Sequence, residues 1–233
     1  MKTLRGERHV SRLEALSDAV FAFSATLLVV SLEVPATFGE LVEKLHGFLA
    51  FALSFAALLM IWSVHNAYFR RYALQDRWTV VLNSVLLFVV LFYVYPLKFV
   101  TLGISTSLFG VGASSASRMI STVDELAQVF MLYGLGFIAI FACFGLMYRH
   151  AHRRRETLEL SPQECEEARF LCRHYLLFAC VGVASVAVAW LRVGIQVALP
   201  GWLYGLLGPV LFGHSWWSER RRAQSGVESR AGD

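Results

Sequence analysis

Long apolar blocks, broken by short stretches that carry arginine, decide what this chain can fold into. A helix needs about 20 mostly apolar residues to cross a bilayer. Six blocks meet that need along the 233 residues: 15–34, 47–69, 78–102, 126–148, 171–190 and 194–212. The first is the most polar, with Asp18 and several serines. The last is short and interrupted by Pro200, Gly201, Gly205, Gly208 and Pro209, and only Arg192 and Gly194 part it from the fifth. The chain is 57% hydrophobic and 16% charged, with a mean hydropathy of +0.56. Soluble domains hold about 45–50% apolar and about 25% charged residues, so a soluble enzyme, a disordered chain and a free nucleic-acid-binding domain are excluded. The expected fold is all-α: a polytopic membrane protein with six transmembrane helices per subunit.

The formal net charge of +4 suggests no nucleic acid partner in such a chain, and the question becomes which ends of the helices carry it. Lys2, Arg5, Arg8 and Arg12 precede the first block, and Arg70, Arg71 and Arg77 lie between the second and third. Arg149, Arg153, Arg154, Arg155, Arg169 and Arg173 lie between the fourth and fifth, and Arg220, Arg221 and Arg222 follow the sixth. The alternate connections hold Lys44 among Glu33, Glu40 and Glu43, then Arg118 near Asp124 and Glu125, then Arg192. Basic loops stay cytoplasmic, so both termini are expected inside and the protein is expected in the plasma membrane. The domain layout is then a basic N-terminus (1–14), a transmembrane domain (15–217) and a polar tail (218–233). The first block is too long for a signal-peptide core and carries Asp18, so no cleavable leader is expected. Residues 103–123 read as an external loop with a short surface helix. Residues 149–173 read as a charged linker in which Ser161-Pro162-Gln163-Glu164 starts a new helix. Cys143, Cys165, Cys172 and Cys180 lack CxxC spacing and read as structural thiols. No internal repeat supports an inverted-repeat transporter.

An ionisable residue within a span is a functional candidate because burying it requires a partner. Counting from the basic side, Asp18, His65 and Asn83 come to a similar depth, within reach of Ser17 and Arg12. They read as a polar clamp that holds helices together and can couple helix movement to opening. Trp62, His65, Asn66 and Phe69 share one face of the second helix. No nucleophile elbow, HExxH or paired-carboxylate spacing accompanies them, so no enzyme is expected. On the first helix, plotted at about 100° per residue, Phe23, Thr26, Leu27 and Val30 share one arc with Leu16, Ala19 and Val34. Asp18 points about 140° from Phe23, and its polar face is expected to meet neighbouring helices. The apolar stripe then faces lipid, other helices or a pore axis, and periodicity does not choose among them.

The run from Arg12 through Leu16-Ser17-Asp18 to Thr26-Leu27-Leu28 resembles the first-helix signature of the transmembrane protein 175 (lysosomal potassium channel) family. That signature is Arg, three residues, Phe-Ser-Asp and then an apolar helix with a threonine. Trp62, His65 and Asn83 are similar to the polar partners which that family places on its second and third helices. The resemblance is to prokaryotic single-repeat members, and it implies six spans per subunit, a homotetramer and a central pore lined by first helices. It implies a potassium-permeable channel, K+ preferred over Na+, without a TVGYG filter, a motif this sequence also lacks. The apolar constriction would fall on Phe23, Leu27 and Val30, with the hydroxyl layer on Thr26. Arg12, Ser17 and Asp18 would be structural or gating residues. Leu16 stands where the signature has Phe, and Phe23 where many members have Ile or Leu. The implied partners are further copies of the chain in a homotetramer, lipid and permeating potassium ions, with no cofactor and no bound metal beyond K+. The alternatives are a proton- or ion-coupled secondary transporter using Asp18 and His65 as a relay, and a non-conducting membrane scaffold.

Overall fold

The computed structural model describes residues 10–30, 37–38, 48–109, 122–195 and 198–206, without the side chains of 95, 96 and 98–109. The architecture is all-helical: α1 (Arg12–Val30), α2 (Phe48–Tyr72), α3 (Arg77–Phe109), α4 (Val123–Arg153), α5 (Pro162–Trp190) and a short α6 (Leu199–Trp202) that runs into a 3-10 turn, Leu203–Leu206. Among the described residues, five helices are long and apolar enough to cross a membrane, and the protein is multi-pass.

Four of the helix starts have a local chemical cause. The Glu14 amide donates to Ser11 Oγ (3.1 Å) while the Ser11 amide donates to Glu14 Oε2 (2.8 Å), a reciprocal cap on α1. Thr122 with Glu125 does the same for α4, and Ser161 with Glu164 for α5, where Pro162 occupies the first turn. That α5 start is the one its sequence announced. α2 ends at Ala73, whose φ of 47° is left-handed, and Asp76 then opens α3 by accepting from the Thr79 amide (3.1 Å) and hydroxyl (2.6 Å).

Two stretches differ from expectation. α3 stays helical to Phe109, so residues 103–109 are helix rather than loop. α4 reaches Arg153 and α5 begins at Pro162, which reduces the expected charged linker to a tight connection. The reason is the same for α4 and α5: arginine and glutamate are good helix formers in water, so a helix need not stop where its apolar block does. Of the sixth block, the described part is α6 and the 3-10 turn, pinned to α5 by Ser185 Oγ donating to the Pro200 carbonyl (2.8 Å). Residues 110–121, 207–212 and the tail 218–233 lie outside the described residues. α1 already begins at Arg12, inside the expected N-terminal segment.

The most extensive packing is between α4 and α5, then between α4 and α3, with α1 resting on α2 and α3. Glycines let α4 and α5 approach closely. A Cβ at Gly182 would stand 2.8 Å from Ile138 Cγ1, and one at Gly145 2.9 Å from Leu176 Cδ2. The chain direction brings the start of α1, the end of α2, the start of α3, the end of α4 and the start of α5 to one end, where the described arginines concentrate. At this basic end Arg71 of α2 holds Glu167 of α5 (Nη2 to Oε2, 2.7 Å), and His150 of α4 contacts Asp76 Oδ2 (2.6 Å).

Burial alone would raise the Asp76 carboxyl, but the Thr79 hydroxyl and amide and His150 outweigh it and hold it below the usual carboxylate range. A carboxyl held low in the folded state stabilises above its unfolded pKa and loses that contribution as pH falls through the folded value. Asp76→Ala also removes a helix cap, and is expected to cost about 1 kcal/mol at neutral pH. Thermal unfolding in detergent should show a lowered midpoint whose gap from wild type closes below about pH 4.

Candidate functional site

α1 has two faces. Ser17, Phe21, Ser24 and Leu28, at spacings of four, three and four, are buried against α2 and α3. Their serines suit an apolar setting because Ser17 and Ser24 donate back to the carbonyls of Leu13 (2.8 Å) and Val20 (2.9 Å). The other face is open in the protomer: Phe23 is 56% and Val30 68% exposed, with Leu16, Ala19 and Thr26 exposed alongside and Leu27 half-buried at the edge. Val34, assigned to the same stripe from sequence, lies outside the described residues. The Thr26 hydroxyl donates to the Ala22 carbonyl at 3.0 Å. Its proton is thereby occupied, and its oxygen presents lone pairs to the open side.

Behind the open face runs a buried polar chain. His65 Nε2 meets Asn83 Oδ1 at 2.7 Å, and Asn83 Nδ2 donates to Ser17 Oγ at 2.9 Å. Because the Asn83 nitrogen is the donor to Ser17, its oxygen accepts, and His65 carries its proton on Nε2. The chain thus runs His65, Asn83, Ser17, Leu13 carbonyl, each donor feeding the next acceptor. His65 is 2% exposed, and Asn83 and Ser17 are fully buried. The rings of Phe21 and Phe69 lie 5.4 and 4.7 Å from the His65 ring.

Asp18 sits apart from this chain. Trp62 Nε1 donates to its Oδ1 at 2.8 Å, and the residue is exposed. The Asp18 face meets α2, as expected, through Trp62, while the Ser17 face makes the buried contact to α3. Asp18 follows Ser17 by about 100°, which turns it off α3 and leaves the long indole of Trp62 to reach it. Asp18 and His65 make separate hydrogen-bond pairs, and both line one cleft at the basic end. Arg12 is exposed, and no described residue hydrogen-bonds it. A cleft of about 400 Å³ opens at the basic end between α1 and α2, lined by Glu14, Asp18, His65, Asn66, Phe69 and Arg70.

Sequence reading named Trp62, His65 and Asn83 but missed Glu14, Asp76 and Glu167. Ser11-x-x-Glu14 and Asp76-x-x-Thr79 are helix-start spacings that could have found the first two. Glu167 lies 96 positions from Arg71, and no spacing links them.

The profile of endosomal/lysosomal potassium channel TMEM175 matches residues 12–93, which span α1, α2 and the first half of α3. A protein described as a potassium channel, from Marivirga tractuosa, is 36% identical over 217 residues, 90% of this chain and 87% of that protein. The chain belongs to the TMEM175 family. A second potassium channel, from Chamaesiphon minutus, is 29% identical over 83% of this chain and 92% of its own length. Among solved structures, a variant of the potassium channel MtTMEM175 in complex with a Nanobody-MBP fusion protein superposes with a TM-score of 0.80. It shares 33% identity and covers 94% of this chain and 97% of its own. A lysosomal potassium-selective channel TMEM175 homolog from Chamaesiphon minutus superposes at 0.50, with 27% identity over 83% of this chain and 95% of its own. These TMEM175 relatives are channels rather than enzymes. The profile match takes in both the open stripe of α1 and the buried chain Ser17–Asn83–His65.

Proposed function

We propose that this protein is a potassium channel, K+ preferred over Na+, formed by four copies around an axis lined by α1. The observation that carries this reading is the open stripe on α1: apolar at Phe23 and Val30, with one lone-pair-bearing hydroxyl at Thr26 between them. One helix supplies only one such arc, so a closed wall takes several copies related by rotation. Phe23 and Val30, with Leu27 at the edge, form apolar rings that exclude water when narrow, and Thr26 replaces one water of a passing cation. Ser17, Asn83 and His65 hold α1 on α3 and α2, Trp62 holds its second turn through Asp18, and Arg12 opens the helix at the basic end. The basic end lies in the cytoplasm of a plasma-membrane protein, by the arginine distribution. No cofactor takes part.

Unitary currents from purified protein in planar bilayers test the reading, with reversal potentials taken under K+/Na+ gradients. Flux that saturates and requires a second ion would favour a coupled carrier instead. Only a monomer by native mass, with currents retained, would sink the four-copy axis. Thr26→Val keeps the shape and removes the oxygen ligand. Losing about 1 kcal/mol of ion coordination should lower the K+/Na+ permeability ratio about fivefold, with assembly unchanged.

A further inference from the structure

We propose that the α4–α5 seam at the basic end binds the phosphate of an anionic phospholipid through Arg149, Arg169 and Arg173. The helices run antiparallel, with Gly145 of α4 against Leu176 of α5. One turn further along that register, Arg149 comes beside Cys172, and both Arg149 and Arg173 act electrostatically on the Cys172 thiol. A further turn brings His152 under the influence of Arg169. Three guanidiniums from two helices thus converge within about two helical turns.

All three are exposed, and no described residue forms an ion pair with any of them. Arg71, Arg154 and Arg155 of the same end are paired with Glu167, Asp76 and Glu156, whereas Arg12, Arg70, Arg77 and Arg153 are exposed and, like the seam arginines, form no ion pair with a described residue. What sets Arg149, Arg169 and Arg173 apart is their convergence on one seam where the apolar runs of both helices begin, which is headgroup level. Towards the bilayer centre the exposed surface continues as Leu146 on α4 and as Cys180 and Val183 on α5, a path suited to an acyl chain. Basic clusters between spans at the cytoplasmic side are recognised by anionic headgroups, whose oxygens match guanidinium forks. A free anion would use the arginines but gain nothing from the apolar path, so the ligand is a lipid. The inference rests on the proposed orientation but not on conductance, and a binding readout in detergent separates the two.

Native mass spectrometry of the purified protein, titrated with phosphatidylglycerol or phosphatidylcholine, tests it. Wild type should retain phosphatidylglycerol about tenfold more strongly. Combined Arg149→Gln, Arg169→Gln and Arg173→Gln should abolish the preference. Combined Arg220→Gln, Arg221→Gln and Arg222→Gln, an equal loss of charge in the C-terminal sequence, should keep it. Retention unchanged in the seam variant, or equal loss in both variants, overturns the site. Displacement of the lipid by millimolar inorganic phosphate overturns it as well, in favour of a free anion. Should the seam variant fail to fold, Arg149→Gln and Arg173→Gln singly should each weaken retention, and wild-type retention in both overturns the proposal.

Discussion

Phe23→Ala should raise unitary K+ conductance about tenfold, because removing about 1.4 kcal/mol from the barrier suffices for that factor. The phenyl ring is more than half exposed on α1, on the stripe that holds Thr26 and Val30. In the proposed tetramer, four rings facing the axis would offer an ion no oxygen to replace the water it must shed. Moving charge into such a setting costs several kcal/mol even after local relaxation. Alanine widens the ring and lets water stay with the ion, so the barrier falls. The buried face of α1, made by Ser17, Phe21, Ser24 and Leu28, is untouched, so folding and assembly should not change. Bilayer recordings of wild type and variant at equal K+ decide it, and an unchanged unitary conductance would mean that Phe23 packs against lipid or a neighbouring helix.

Asn83→Leu should have the largest effect on stability. It strips the buried His65 Nε2 proton of its acceptor and empties the lone pair of Ser17 that Asn83 Nδ2 had filled. An orphaned buried donor costs about 1–3 kcal/mol, and Leu brings a branched side chain into a site shaped for a planar amide. Ser17 suffers less, since its own proton still reaches the Leu13 carbonyl. The expected result is a clear drop in thermal midpoint and in recovery of the assembled protein, with the ion ratio of surviving channels unchanged. Asp18→Ala should be milder, because its carboxylate is exposed and bound by Trp62 alone among the described hydrogen bonds. Equal damage from both substitutions would mean that Asp18 is buried between subunits.

The open stripe of α1 was legible from spacing, since an arc 100° wide needs only the pitch of a helix. The depth match of His65 and Asn83 was legible too, because basic flanks mark where each span begins. What spacing could not reveal was which side of α1 meets its neighbours. In a soluble helix the apolar side is the buried one, but in a membrane protein every side is apolar enough to face something apolar. Asp18 drew attention and does reach Trp62 of α2, but the quieter Ser17 makes the buried contact to α3. The ties between Arg71 and Glu167 and between His150 and Asp76 depend on chain folding over long separations, and no local pattern encodes them. The extension of α3 to Phe109 was missed because serine and glycine suggested a loop where the helix continued.

The back-donation of the Thr26 hydroxyl to Ala22 bears on the sign of the charge that can pass. A free hydroxyl can turn its hydrogen toward a halide or its oxygen toward an alkali ion, and so serves either. A hydroxyl whose hydrogen is already committed to its own backbone has only one pole left to offer. In the proposed tetramer, four of these around the axis would make a collar that greets a cation and gives chloride nothing to bind, with no acidic residue needed at that level. Charge discrimination would then be inherited from ordinary helix hydrogen bonding, and it would persist at any pH at which the helix itself survives.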